Sequence, residues 1–141
     1  MAASLALIQK ILAVWDPYGH YSLTDWQEAQ EQAAAWSAEQ TAEPEVALRR
    51  LGFVIEYKSL SVPGLWVWGR VVSTERRVYL DREALTFLYE TGAAWPEKPS
   101  GTDWPIKLVL AHELFHILVS MHTIEHSELA AIIFAFNCLG H

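Results

Sequence analysis

A chain of 141 residues holds one domain's worth of core and is too short for two. Its 52% hydrophobic content and seven Trp exclude wholesale disorder. The balance is acidic, 10 Lys and Arg against 17 Asp and Glu for a net charge of −7, and basic residues pair only at Arg49-Arg50 and Arg76-Arg77; with no basic stripe to follow a phosphate backbone, direct nucleic-acid binding is not expected.

Residues 4–15 carry Leu5, Ile8, Leu12 and Trp15 at helical spacing, and Asp16-Pro17-Tyr18-Gly19 stops them. This stretch has no positive leading segment, Lys10 interrupts its apolar part, and no small-residue cleavage site follows, so it reads as a helix and not as an export signal. Thr24-Asp25 can cap a second helix to about Gln40, anchored by Trp26 and Trp36. Pro44 opens a short helix to Leu51, closed by Gly52.

The period then changes. Phe53–Tyr57, Leu65–Val72 and Val78–Leu80 are β-branched or aromatic and read as three strands, the last two joined by a hairpin turn over Ser73–Arg77. Trp66 and Trp68 fall on one side of the second strand, where sheet packing is the expected use and ligand contact the competing one. Arg82–Thr91 reads as a helix closed by Gly92, and Trp95–Pro105 as a loop with three prolines. Thr102 or Asp103 caps a helix from Pro105 to about Met121; a polar link, His122–Ser127, leads to a last apolar helix ending near Leu139-Gly140. The expected class is α+β in one domain over 1–141: N-terminal helices in 1–44, a helix and small mixed or antiparallel sheet in 45–81, a helix and Pro-rich segment in 82–104, and two apolar helices in 105–139. No run is long and apolar enough for a membrane span, and the lone Cys138 in an apolar stretch suits a buried thiol and a cytoplasmic location.

The helix from Pro105 carries the chemistry. Leu108–Val119 is apolar all round, the mark of a helix buried on every side, yet His112, Glu113 and His116 are set into it. Three ionisable groups buried without partners would cost several kcal/mol, roughly, if charged. His112 and His116 stand at i and i+4, so their imidazoles lie one turn apart on one face and can converge on a zinc ion. Glu113, one residue after His112, is rotated about 100° from it around the helix, beside the metal and not on it, where it can act as general base toward water. This is an H-E-x-x-H pattern; the competing reading is a buried His–Glu–His hydrogen-bond network, disfavoured because that helix offers no Arg or Lys partner beside these groups. The third ligand is open between Glu128, at the start of the last helix, His122, at the metzincin spacing but with Val119 where that pattern needs Gly, and Glu125 or His126. The ordinary role for Glu128 is a helix-terminal acid after Ser127 as N-cap.

Leu110-Ala111-His112-Glu113-Leu114-Phe115-His116 resembles the A-H-E-L-G-H stretch of the ImmA/IrrE family of zinc metallopeptidases, with Phe115 in place of Gly. Glu128, Ala131, Phe134, Ala135 and Leu139 fall on that family's following E-x-x-A-N-x-F-A-x-x-L-L helix, with Ile132 at the Asn and Cys138 at the penultimate Leu. The resemblance covers roughly 45–139, the Arg82–Trp104 segment reading as an insertion. It implies a zincin-like fold with zinc held by His112, His116 and Glu128, Glu113 as base, and hydrolysis of a regulatory protein, a helix-turn-helix repressor in the better-known members. Substrate binding along an edge of the sheet, at the second or third strand, fits such an enzyme. Tyr79, Tyr89 and His122 are candidate donors to the transition state. Two other classes compete: a non-catalytic protein-interaction module that keeps the fold, and a metzincin-like protease using His122. The oligomeric state is not legible.

Overall fold

Helix α5, Trp104–Met121, is the axis of the molecule because its sequence leaves almost no polar face: every residue from Leu108 to Phe115 is buried. A helix of this kind must be covered on all sides. The computed structural model describes residues 5–15, 20–37, 43–96, 98–99, 101–121 and 128–139. Among them are six helices and one three-stranded mixed sheet, an α+β architecture. The sheet covers one side of α5, and α6, Glu128–Leu139, covers another. Because α6 is itself buried from Leu129 to Phe136, it needs its own cover, which α2, Leu23–Ser37, and α1, Leu5–Trp15, provide. Helices α3, Pro44–Arg50, and α4, Arg82–Gly92, complete the wrapping of α5.

The sheet runs β1-β3-β2, with β1 (Val54–Tyr57) parallel to β3 (Arg77–Leu80) and β2 (Gly69–Val72) antiparallel to it. Register places Ile55, Val78 and Val71 in one row and Tyr57, Leu80 and Gly69 in the next; Val78 and Leu80 are fully buried. Gly69 approaches α5 closely, since a Cβ there would sit 2.8 Å from Val109 Cγ1. The sheet is therefore pressed against the helix at β2, one turn before His112.

Several local expectations are corrected. The second strand begins at Gly69, four residues later than its β-rich sequence predicts, because Ser61–Val67 forms its own turn: Val62 and Leu65 bridge across Pro63-Gly64. Trp66 and Trp68 thus precede the strand, and their rings gather instead around Phe87 of α4. The cap of α2 is Ser22, not Thr24-Asp25. Ser22 Oγ accepts from the Asp25 amide at 3.1 Å and Asp25 Oδ2 from the Ser22 amide at 2.8 Å, a reciprocal capping box. Gly92 does end α4, as expected, but not through a left-handed turn: it is the last helical residue, and the cap residue Ala93 is right-handed at φ −59°. Gly92 is small because Trp104 packs on it, and a Cβ would lie 2.7 Å from Trp104 Cζ2. Asp16-Pro17-Tyr18-Gly19, Ser127 and Gly140 lie outside the described residues.

Candidate metal centre

His112 and His116 project from one face of α5 with ring centroids 4.6 Å apart at 81° and Nε2 atoms 3.3 Å apart. Glu128, the first residue of α6, is brought to them by apolar packing between the helices, in which Phe115 meets Phe134 with ring centroids 5.1 Å apart and the rings tilted by 46°. Its Oε2 lies 3.2 Å from His116 Nε2, and its Oε1 contacts His112 Nε2. The donor atoms of the three residues all fall within 4.8 Å of one another. Phe115 and Ile132, two positions where the sequence departs from the ImmA/IrrE pattern, are both fully or almost fully buried. Phe115 packs into the α5–α6 contact.

Glu113 is buried, with Oε1 3.2 Å from His112 Nδ1. That nitrogen is on the opposite edge of the imidazole from the Nε2 that meets Glu128. A proton held on Nδ1 by Glu113 leaves the Nε2 lone pair directed at the shared point, the arrangement that orients a ligating histidine. Burial pushes the His112 pKa down, but the hydrogen bonds and charges of Glu113 and Glu128 outweigh it and raise it to about 9. Burial raises the Glu128 carboxyl, and its bonds to His112 and His116 outweigh that, holding it well below the usual carboxylate range. Two imidazole nitrogens and a carboxylate aimed at one point present converging lone pairs, which only a shared proton or a cation relieves. Two nitrogens and an oxygen from His, His and Glu match the donor set of a catalytic zinc, which keeps its fourth position open. The residues present fit such an ion.

The His112, His116 and Glu128 group lies on a cleft of about 460 Å³. His112, Glu113, His116 and Glu128 line one part of it, and the segment Trp66–Gly69 lines the other. The segment is held from below by Asp81, the N-cap of α4. Asp81 Oδ1 accepts from the Ala84 amide at 3.1 Å, while Oδ2 accepts from the amides of Leu60 at 2.8 Å and Ser61 at 2.7 Å. Ser61 Oγ in turn accepts from the Val67 amide at 3.0 Å. Burial pushes the Asp81 carboxyl up, but these backbone donors outweigh it and lower it to about 2. The cap role of Asp81 is written locally, in an Asp between a strand and a helix. Its second role spans twenty residues, and no local pattern announces it. The sequence favours aromatic packing over ligand contact for Trp66 and Trp68, and their place beside His112, His116 and Glu128 comes from the turn at Val62–Leu65.

Tyr79 does not line the cleft. Its hydroxyl donates to Glu75 Oε1 at 2.8 Å, which raises its pKa. Tyr89 lies on the exposed side of α4, also outside the cleft lining. His122, Glu125 and His126, the competing third ligands, lie outside the described residues, although α5 does run on through Val119 to Met121. Among the described residues no helix is long and apolar enough to cross a membrane. Comparison with protein-family models, curated proteins and solved structures finds no match for this chain.

Proposed function

We propose that this chain is a zinc-dependent endopeptidase that hydrolyses a peptide bond in a regulatory protein, with a helix-turn-helix repressor as the candidate substrate. One observation carries the reading: His112, His116 and Glu128 converge within 4.8 Å at the wall of a cleft that Glu113 also lines. A bound zinc supplies Lewis acidity, which makes water nucleophilic near neutral pH and polarises a carbonyl. Glu113 takes the proton of the attacking water on its carboxylate and delivers it to the leaving amine nitrogen. His112 is kept in the ligating tautomer by the bond between its Nδ1 and Glu113.

A peptide is favoured as substrate by the edge of the sheet. Among the described residues β2 pairs with β3 alone, and β3 is occupied on both sides. Of the two strands the sequence offers for substrate binding, only β2 therefore has a free edge. The cleft lining runs directly into β2 at Gly69, so an extended segment added along β2 passes the metal ligands. The zincin-like assignment rests on the same features and on the resemblance around His112–His116.

Elemental analysis of the purified chain tests the first half of this reading, and hydrolysis of an unfolded protein by the zinc-loaded form tests the second. About one zinc per chain is expected, with cleavage lost in Glu113→Gln while the zinc stays. Absence of zinc after reconstitution, or cleavage indifferent to Glu113→Gln, overturns the proposal. Partner binding without cleavage in either form would assign the fold to an interaction module.

A further inference from the structure

We infer that the metal-centre cleft selects a polypeptide carrying an aromatic or other large apolar side chain next to the scissile bond, and that Trp66 is the residue that seats it. This rests on the peptidase reading above and names its substrate preference.

Trp66 lines the same cleft as His112, His116 and Glu128, so a peptide held across those three residues would pass the indole or its immediate neighbours. The ring is stacked on Phe87 at 4.8 Å and 11°, and Trp68 stands 6.3 Å from both. Ordinary core packing accounts for Trp68, which is buried. It does not account for Trp66, which keeps 40% of its surface exposed despite that stack. Val62 at 56% and Leu65 at 60% extend the apolar surface along the same turn. Contiguous exposed apolar groups beside a concave polar site are a mark of ligand contact.

Charge narrows the choice. Apart from the imidazoles, the ionisable groups lining the cleft are the carboxylates Glu113 and Glu128, whose charge a bound zinc would offset, so an acidic side chain finds no lining Lys or Arg to pair with and only an apolar seat. Rigidity adds to the case. The turn that carries Trp66 is tied by Asp81 to Leu60 and Ser61, by Ser61 to Val67, and by the Val62–Leu65 bridge. An aromatic platform already fixed in place loses little entropy when a side chain stacks on it. Such a seat discriminates an aromatic from a methyl side chain by about 10- to 100-fold in kcat/KM.

The test uses the zinc-loaded full chain and synthetic peptides identical except at one position beside the cleaved bond, occupied by Phe, Leu, Ala, Lys or Glu. The expected order is Phe and Leu ahead of Ala by about 10- to 100-fold, with Glu last. In Trp66→Ala the Phe-to-Ala ratio falls to within about 3-fold, and Trp66→Phe restores most of it; zinc content reports that each variant is folded. No preference in the wild type, or a preference that survives Trp66→Ala, overturns the inference and leaves the peptidase reading standing. Dissociation constants of the same peptides for Glu113→Gln separate the remaining cases. If nothing is cleaved but binding follows the same Trp66-dependent order, the peptidase reading falls and the aromatic seat stands. If nothing is cleaved and binding shows no order, both fall.

Discussion

Glu128 Oε2 lies 3.2 Å from His116 Nε2, although the two are twelve positions apart in the chain and on different helices. Packing of α6 on α5 holds the two side by side, and together with His112 they form one donor set. Replacing either with Ala leaves two donors. Zinc affinity should then fall by more than the roughly 10- to 100-fold typical of losing a residue that merely supports a ligand. Competition against a chromophoric chelator measures this directly. Unchanged affinity in Glu128→Ala would show that the ion takes its third ligand elsewhere, and would reopen the case for His122.

Glu113→Gln should separate metal binding from chemistry. The Gln side-chain oxygen can still accept from His112 Nδ1, so the imidazole keeps its tautomer and zinc affinity should stay within about 10-fold. The amide cannot take a proton, and peptide hydrolysis should drop by about 100- to 10,000-fold. Both numbers come from one preparation, by zinc titration and by cleavage of the aromatic peptide. A loss of zinc as large as that in Glu128→Ala would assign Glu113 to holding the ligand and not to proton transfer.

The core of the site was legible because a helix imposes its own geometry: an i, i+4 pair of histidines in an apolar run has one face to share, whatever surrounds it. The six helices and three strands were legible for the same local reason, through apolar period and through turns at Gly52 and Ser73–Arg77. What sequence left open depends on contacts between distant segments. Glu128 competes in the sequence with His122, Glu125 and His126, which lie outside the described residues; packing of α6 on α5 brings Glu128 to the two histidines. The aromatic side of the cleft was read as strand because Leu65–Val72 has strand composition, and only the Val62–Leu65 bridge and the Asp81 bonds redirect it. Gly92 was read by the commonest use of glycine near a helix end, and the close approach of Trp104 is a tertiary fact.

Phe115 tests how far the metal centre depends on interhelical packing. It is fully buried and contacts Phe134 across the α5–α6 interface, beside His116 on its own helix. Phe115→Ala removes most of a core side chain and should cost about 3–5 kcal/mol in urea unfolding. The resulting cavity lies where α6 is anchored, so zinc affinity should weaken as well, although no ligand is touched. Stability lost with zinc affinity intact would mean that the start of α6 is fixed by other contacts.

Asp81 links the stability of the fold to the shape of the cleft, and its pH dependence has a definite sign. Its folded carboxyl is lowered to about 2 from an ordinary 3.8, with the amides of Leu60, Ser61 and Ala84 holding the charged form. A depressed folded pKa means that the stabilisation is fully present above the unfolded value and is lost as pH falls through the folded one. The window is therefore from about pH 4 down to about pH 2, and the contribution is on the order of 1–2 kcal/mol. Asn at this position has one acceptor oxygen and so cannot serve all three amides. Metal-free wild type and Asp81→Asn should differ by that amount in urea unfolding at pH 7, and the gap should close as pH falls toward 2. Using both proteins without metal cancels the protonation of His112 and His116, which they share. A gap that persists at low pH would show that Asp81→Asn acts through packing and not through the carboxylate charge. The same variant should also blunt the Phe-to-Ala preference at the cleft, because Asp81 fixes the turn from which Trp66 projects.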